Sequence, residues 1–136
     1  MDNVFIEGVG STTFGQHSNR TAVDLAVEAS LNAIEDAKVD LDKIGTVYLG
    51  NFVSGVLTGQ EVLAGLVADK LGISGVPATK VEGACASGGM AFRHACMAVA
   101  SGSCEFALAV GVEKMTHAKT SLVTEALNCA LDHEVD

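Results

Sequence analysis

Apolar positions in the first third of the chain follow two different rhythms. Val4-Phe5-Ile6 make a short unbroken run ahead of Gly8-Val9-Gly10, the pattern of a first strand ending in a glycine-rich turn. A polar loop from Gly15 to Arg20 follows, and the period then changes. Val23, Val27, Leu31 and Ile34 recur four, four and three residues apart, which predicts a helix with one apolar stripe. Thr21, with Asp24 three residues on, gives that helix a capping-box start. Asp24, Glu28, Glu35 and Lys38 fall on its wet face.

The same alternation continues downstream. Ile44 to Asn51, centred on Val47-Tyr48-Leu49 and closing at Gly50, reads as a second strand. Thr58 and Glu61 offer another capping box, ahead of a stripe of Val62, Leu63, Leu66, Val67 and Leu71 that Gly72 ends. Val76 to Val81 is a third strand with Pro77 at its start, where a missing N–H is tolerated. Ser87 to Ala100 is a third helix, and Phe106 to Val112 is a fourth strand without alternation, as expected for one covered on both faces. Leu122 to Leu131 closes the chain as a short helix. The order β-α-β-α-β-α-β predicts an α/β fold: a mostly parallel sheet flanked by helices, with right-handed crossovers.

The third helix stands apart. From Met90 to Ala100 its strongly polar residues are Arg93 and His94, and Gly88, Gly89, Ala91, Ala95, Ala98 and Ala100 line it. A helix apolar nearly all round is expected to be buried on several sides, so a second layer should lie beyond it, and these residues do not obviously encode that layer.

Composition narrows the class of function. Seventeen acidic residues against eight basic ones leave a net charge of −9, which argues against a nucleic-acid partner. Hydrophobic residues at 49% and charged ones at 18% exclude a disordered chain. The longest stretch free of Asp, Glu, Lys and Arg, Ile44 to Gln60, is broken by polar residues and glycines and does not read as a membrane span. Met1-Asp2-Asn3 lacks the basic lead of a signal peptide, so the cytoplasm is the expected compartment.

Cys85, Cys96, Cys104 and Cys129 form no CxxC pair and have no histidine at finger-like spacing, so no metal site is expected. One of them sits where chemistry is plausible. Val81-Glu82-Gly83-Ala84-Cys85-Ala86-Ser87-Gly88-Gly89 runs from strand through a tight turn into a helix N-terminus. Free backbone N–H groups and the positive end of the helix dipole favour thiolate over thiol there. The same N–H groups suit an oxyanion formed when a thiolate attacks a carbonyl. The plainer alternative is that Cys85 is a small core residue, since free cysteine is often buried. Packing is the expectation for Cys96, Cys104 and Cys129. His94 fails as a base, because nine residues along a helix place it about 13 Å from Cys85. His17, His117 and His133 carry no motif.

At these residues a resemblance becomes specific. Val81 to Gly89, with Ala91 and then Ala109-Val110-Gly111-Val112-Glu113-Lys114-Met115-Thr116, resembles the N-terminal portion of a thiolase. It is most similar to archaeal and bacterial thiolases related to sterol-carrier-protein thiolase. Gly8-Val9-Gly10-Ser11-Thr12-Thr13-Phe14-Gly15 and Gly50-Asn51 also fit. The resemblance covers the chain to about Thr120 but only the first third or so of a thiolase. It implies an incomplete N-terminal thiolase domain over 1–120, with 121–136 starting the substrate-binding insertion or forming a truncated tail. The central helix after the nucleophile would be buried.

The resemblance further implies that Cys85 takes an acyl group from coenzyme A in a ping-pong reaction. The substrate would be a coenzyme A thioester, with no permanently bound cofactor. The Cys85 N–H would contribute to an oxyanion hole. Glu82 stands where many thiolases carry Asn. The base that activates the nucleophile and the second catalytic cysteine belong to the half of the family's fold that these residues do not supply. A homo-oligomer or a partner chain is therefore implied, with Val76 to Val81 at a sheet edge pairing with another copy. Two other readings stand beside this one: a condensing enzyme of the hydroxymethylglutaryl-CoA synthase or ketoacyl synthase type, and a non-catalytic truncated scaffold.

Overall fold

The computed structural model describes residues 3–135. Three parallel strands form its sheet: β1 (Ile44–Gly50), β2 (Ala78–Val81) and β3 (Phe106–Gly111), in the order β2-β1-β3. Val47 stands between Ala78 on one side and Leu108 on the other. The pleat sorts β1 onto two faces. Val47 and Leu49 enter a core with α1 (Ala22–Ala37) and α3 (Leu63–Leu71), whereas Tyr48 lies against His94 of α4 (Ser87–Ala100). The result is a sheet between helical layers, the α/β class that the sequence predicts.

Local chemistry explains most of the elements. Thr21 and Asp24 form the reciprocal capping box at the start of α1, each side chain taking the other's backbone N–H. Of the stripe expected for α3, Leu63, Val67 and Leu71 are buried, each contributing roughly 1.5–3 kcal/mol of transfer free energy, whereas Val62 and Leu66 are exposed. No capping box forms at Thr58 and Glu61. Thr58 donates instead to the Ser54 carbonyl within a short helix α2 (Ser54–Thr58), and Glu61 pairs with Lys80 of β2. A second small cluster joins Val53 and Leu57 to Ala126 of α5 (Thr120–Asn128).

The expected first strand is corrected. Val4-Phe5-Ile6 is not a strand: residues 3–13 have no sheet partner, and Phe5, Ile6 and Val9 are exposed. The segment is held to α1 instead, with Val9 N–H donating to Asp36 and Asn32 donating to the Ser11 carbonyl. Gly8 and Gly10 permit this, because a Cβ at either would fall within 2.5 Å of α1 backbone. The sheet covers α4 on one side, so these residues bury it only in part, as the sequence suggests. Ser87, Ala91, Ala95 and Ala98 are buried, while Phe92 and Met97 face outward.

Candidate active site

The order β2-β1-β3 places a change of winding direction between β1 and β3. In an open parallel sheet that is where a crevice opens beyond the carboxyl ends of the strands. Gly50 and Gly111 end those two strands, and a cavity of about 370 Å³ opens beside them. Cys85, Ser87, Phe52, Glu113 and Met115 are among its lining residues. Gly50 is required where it stands. A Cβ there would lie 2.3 Å from the Ser87 carbonyl oxygen, so β1 ends directly against the first residue of α4.

Cys85 enters the cavity wall from a constrained turn. Ala84–Ala86 form one 3-10 turn leading into α4, and the Cys85 side of it is exposed. Ala84 adopts φ 48°, a left-handed conformation that costs a non-glycine residue about 1–3 kcal/mol. Two side chains hold it. The Glu82 carboxylate accepts the Ala84 N–H. Buried Ser87 accepts the Gly83 N–H at 3.0 Å and donates to the Ala84 carbonyl at 2.6 Å. The Ala86 N–H is taken by Gly83 O and the Ser87 N–H by Ala84 O.

Glu113, which also lines the cavity, is tied to buried Asn51. Asn51, fully buried at the end of β1, donates to Val112 O at 2.8 Å and to Glu113 Oε2 at 3.1 Å, and accepts from Ser54 N–H at 3.3 Å. Glu113 also accepts the N–H groups of Phe52 and Val53. Lys114, the next residue, donates to the carbonyls of His17 and Arg20. Neighbouring motif residues thus tie the end of β3 to two separate loops. Sequence reasoning missed the role of Asn51 and Glu113. The one local signal was Asn51 with Ser54 three residues on, a cap-like spacing.

The other candidates separate clearly. His94 is half-buried, with Nδ1 on the Met90 carbonyl at 2.7 Å and its ring 5.5 Å from that of Tyr48. His117 bonds the Leu57 carbonyl. Cys96 and Cys104 are half-buried. Desolvation pushes the Cys104 thiol above its ordinary range. Cys129 departs from the packing expectation and is exposed at the end of α5. Among the described residues no three His, Cys, Asp or Glu side chains gather as metal ligands, and no helix is long and apolar enough to cross a membrane.

Comparison with known proteins gives this geometry a context. Residues 4–134 match the thiolase N-terminal domain family. The chain is 42% identical to the acetyl-CoA acetyltransferase of Methanocaldococcus jannaschii over 134 residues, covering 98% of this chain and 34% of that protein. It is 30% identical to human sterol carrier protein 2, covering all of this chain and 25% of the relative. Among solved structures, a thiolase from Ascaris suum in complex with coenzyme A superposes with a TM-score of 0.70 at 20% identity, over 82% of this chain and 29% of that one. The chain therefore spans about a third of the length of the curated relatives it matches first.

Proposed function

The chain belongs to the thiolase family, and from that premise we propose that it supplies the acyl-accepting part of an acyl-CoA acyltransferase, with Cys85 as nucleophile. The observation that carries this reading is the exposed Cys85 thiol on a constrained turn, beside a cavity at the carboxyl ends of β1 and β3.

The chemistry follows from that placement. Cys85 as thiolate attacks the carbonyl of an acyl-CoA thioester, and the Cys85 N–H contributes to holding the developing oxyanion. Collapse forms the Cys85 S–acyl bond and breaks the coenzyme A S–acyl bond. The proton of the Cys85 thiol ends on the departing coenzyme A thiol. The acyl group then passes to an acetyl-CoA carbanion in Claisen condensation, or arrives from a ketoacyl-CoA in cleavage. Proton transfer to and from that carbanion needs a base. His94 and His117 each hold one ring nitrogen against a backbone carbonyl, and neither is among the residues that line the cavity with Cys85, so this reading takes the base from another part of the fold or from a partner chain. The same reading seats a second copy along the open edge of β2.

The test is direct. Thioester exchange needs only the thiolate fraction present near pH 8, so incubation with acetyl-CoA followed by digestion and mass spectrometry is expected to find the acetyl group on the Cys85 peptide. An acetyl group confined to other cysteines, or unchanged labelling of the Cys85→Ala chain, overturns the proposal.

A further inference from the structure

Four residues set the conformation of the turn that presents Cys85, and their hydrogen bonds are unequally placed. The Gly83, Ala86 and Ser87 N–H groups are satisfied by partners that also belong to α4 or to the turn itself. The Ala84 N–H is different. It belongs to the left-handed residue, and a carboxylate two positions upstream accepts it. Without an acceptor at that point, Ala84 keeps only the bonds to its carbonyl, from Ser87, against a conformation that its Cβ opposes. Relaxing φ at Ala84 rotates the next residue, which is Cys85.

We infer that Glu82 is a positioning residue: by accepting the Ala84 N–H it holds the left-handed turn that presents the Cys85 thiol at the cavity. The inference rests on Cys85 being the nucleophile. Glu82 is itself exposed and lies in no packed core, so its value to the protein is this bond and not burial. The requirement is for an acceptor oxygen at this reach, and its negative charge is not needed. Glutamine at this position therefore keeps the acceptor and with it the geometry.

The experiment measures the iodoacetamide alkylation rate of each cysteine in the 136-residue chain near pH 7, by peptide mass spectrometry, with exposed Cys129 as internal reference. Glu82→Met, of similar length but without an acceptor, is expected to slow Cys85 by roughly three- to ten-fold, the factor that loss of one such hydrogen bond supplies. Glu82→Gln is expected to match the wild-type rate. In an Ala84→Gly background, where the left-handed turn no longer needs holding, the effect of Glu82→Met should largely vanish. A Met chain with unchanged Cys85 rate, a Gln chain as slow as the Met chain, or an equal Met effect in both backgrounds overturns the role of Glu82. A wild-type Cys85 no faster than Cys129 overturns the nucleophile reading itself, and with it this inference.

Discussion

Asn51 and Glu113, 62 residues apart, meet at the top of the sheet with Nδ2 donating to Oε2 at 3.1 Å. This contact joins the end of β1 to the segment after β3, and Glu113 extends it to the loop entering α2. Hydrogen bonds to a charged group in a partly buried setting are each worth about 1.5–3 kcal/mol net. Glu113→Ala is therefore expected to lower unfolding free energy by about that much, read from urea titration of far-UV circular dichroism. Asn51→Ala orphans partners of the same network, so the double variant should cost less than the sum of the singles. Strict additivity would show that the two residues act independently.

The close seat of β1 against α4 gives a second test. A methyl at Gly50 has no room beside the Ser87 carbonyl, which is backbone and cannot swing aside. Gly50→Ala should push the start of α4 away from the sheet and cost about 1–3 kcal/mol as an overpacked site. Cys85 labelling by iodoacetamide should change with it, since the thiol sits two residues before Ser87. A Gly50→Ala chain with wild-type stability and labelling would contradict the tight seat.

Much of this fold was legible because its signals are local. Thr21 and Asp24 announce α1 within four residues, and the unbroken Phe106–Gly111 run announces a strand covered on both faces. The elements around Cys85 were legible for the same reason, since strand, turn and helix are contiguous there. What escaped depends on distant partners. α2 has five residues and no stripe of its own, and its entry is held by Glu113 some sixty residues away. Val4-Phe5-Ile6 has the composition of a strand, but composition cannot say whether an edge is there to pair with. The glycines that looked like a turn after it are instead its seat on α1. The small residues of α4 likewise told of close packing without telling which side the sheet would cover.

Acid should weaken the start of α1. The Lys70 ammonium, followed by the Thr21 N–H and hydroxyl, holds the Asp24 carboxyl well below the usual carboxylate range. A carboxyl depressed in the folded state binds protons first in the unfolded state as pH falls. Its stabilising contribution is thus complete above about pH 5 and fades as pH drops through 4 and below. The stability gap between wild type and Asp24→Asn, followed by chemical denaturation from pH 6 down to pH 3, should narrow steadily. A gap that stays constant or widens toward acid would reject the assignment.

The open edge of β2 is expected to pair with a second copy. The strand is four residues long, and its pairing in the sheet is with β1 on one side only. An open strand edge presents unpaired N–H and C=O groups that invite association, and an added lysine there opposes it. Thr79 is exposed on this strand. Thr79→Lys should shift the sedimentation profile toward the monomer while leaving far-UV circular dichroism unchanged. A wild-type chain that sediments as a monomer at high concentration would contradict the pairing.

The 136-residue chain by itself should bind acyl groups without turning over, and should expose an apolar surface that reports on what is missing. The two expectations have separate grounds. Chemically, transfer through an acyl-enzyme to or from a carbon centre needs proton movement, and no imidazole is among the residues lining the cavity with Cys85. Structurally, α4 is covered by the sheet on one side, leaving Phe92 49% and Met97 51% exposed on the other. Phe5, Ile6 and Val9 add exposed apolar area on the segment before α1. Contiguous apolar surface of this kind marks an interface or an aggregation liability. The chain should therefore enhance the fluorescence of a hydrophobic dye strongly, and Phe92→Lys with Met97→Lys should reduce that signal. Acetoacetyl-CoA cleavage should be absent until the C-terminal part of a thiolase relative is supplied. A monomeric, dye-negative chain that cleaves acetoacetyl-CoA unaided would refute both grounds, because it would need a base and a covered α4 that this arrangement does not contain.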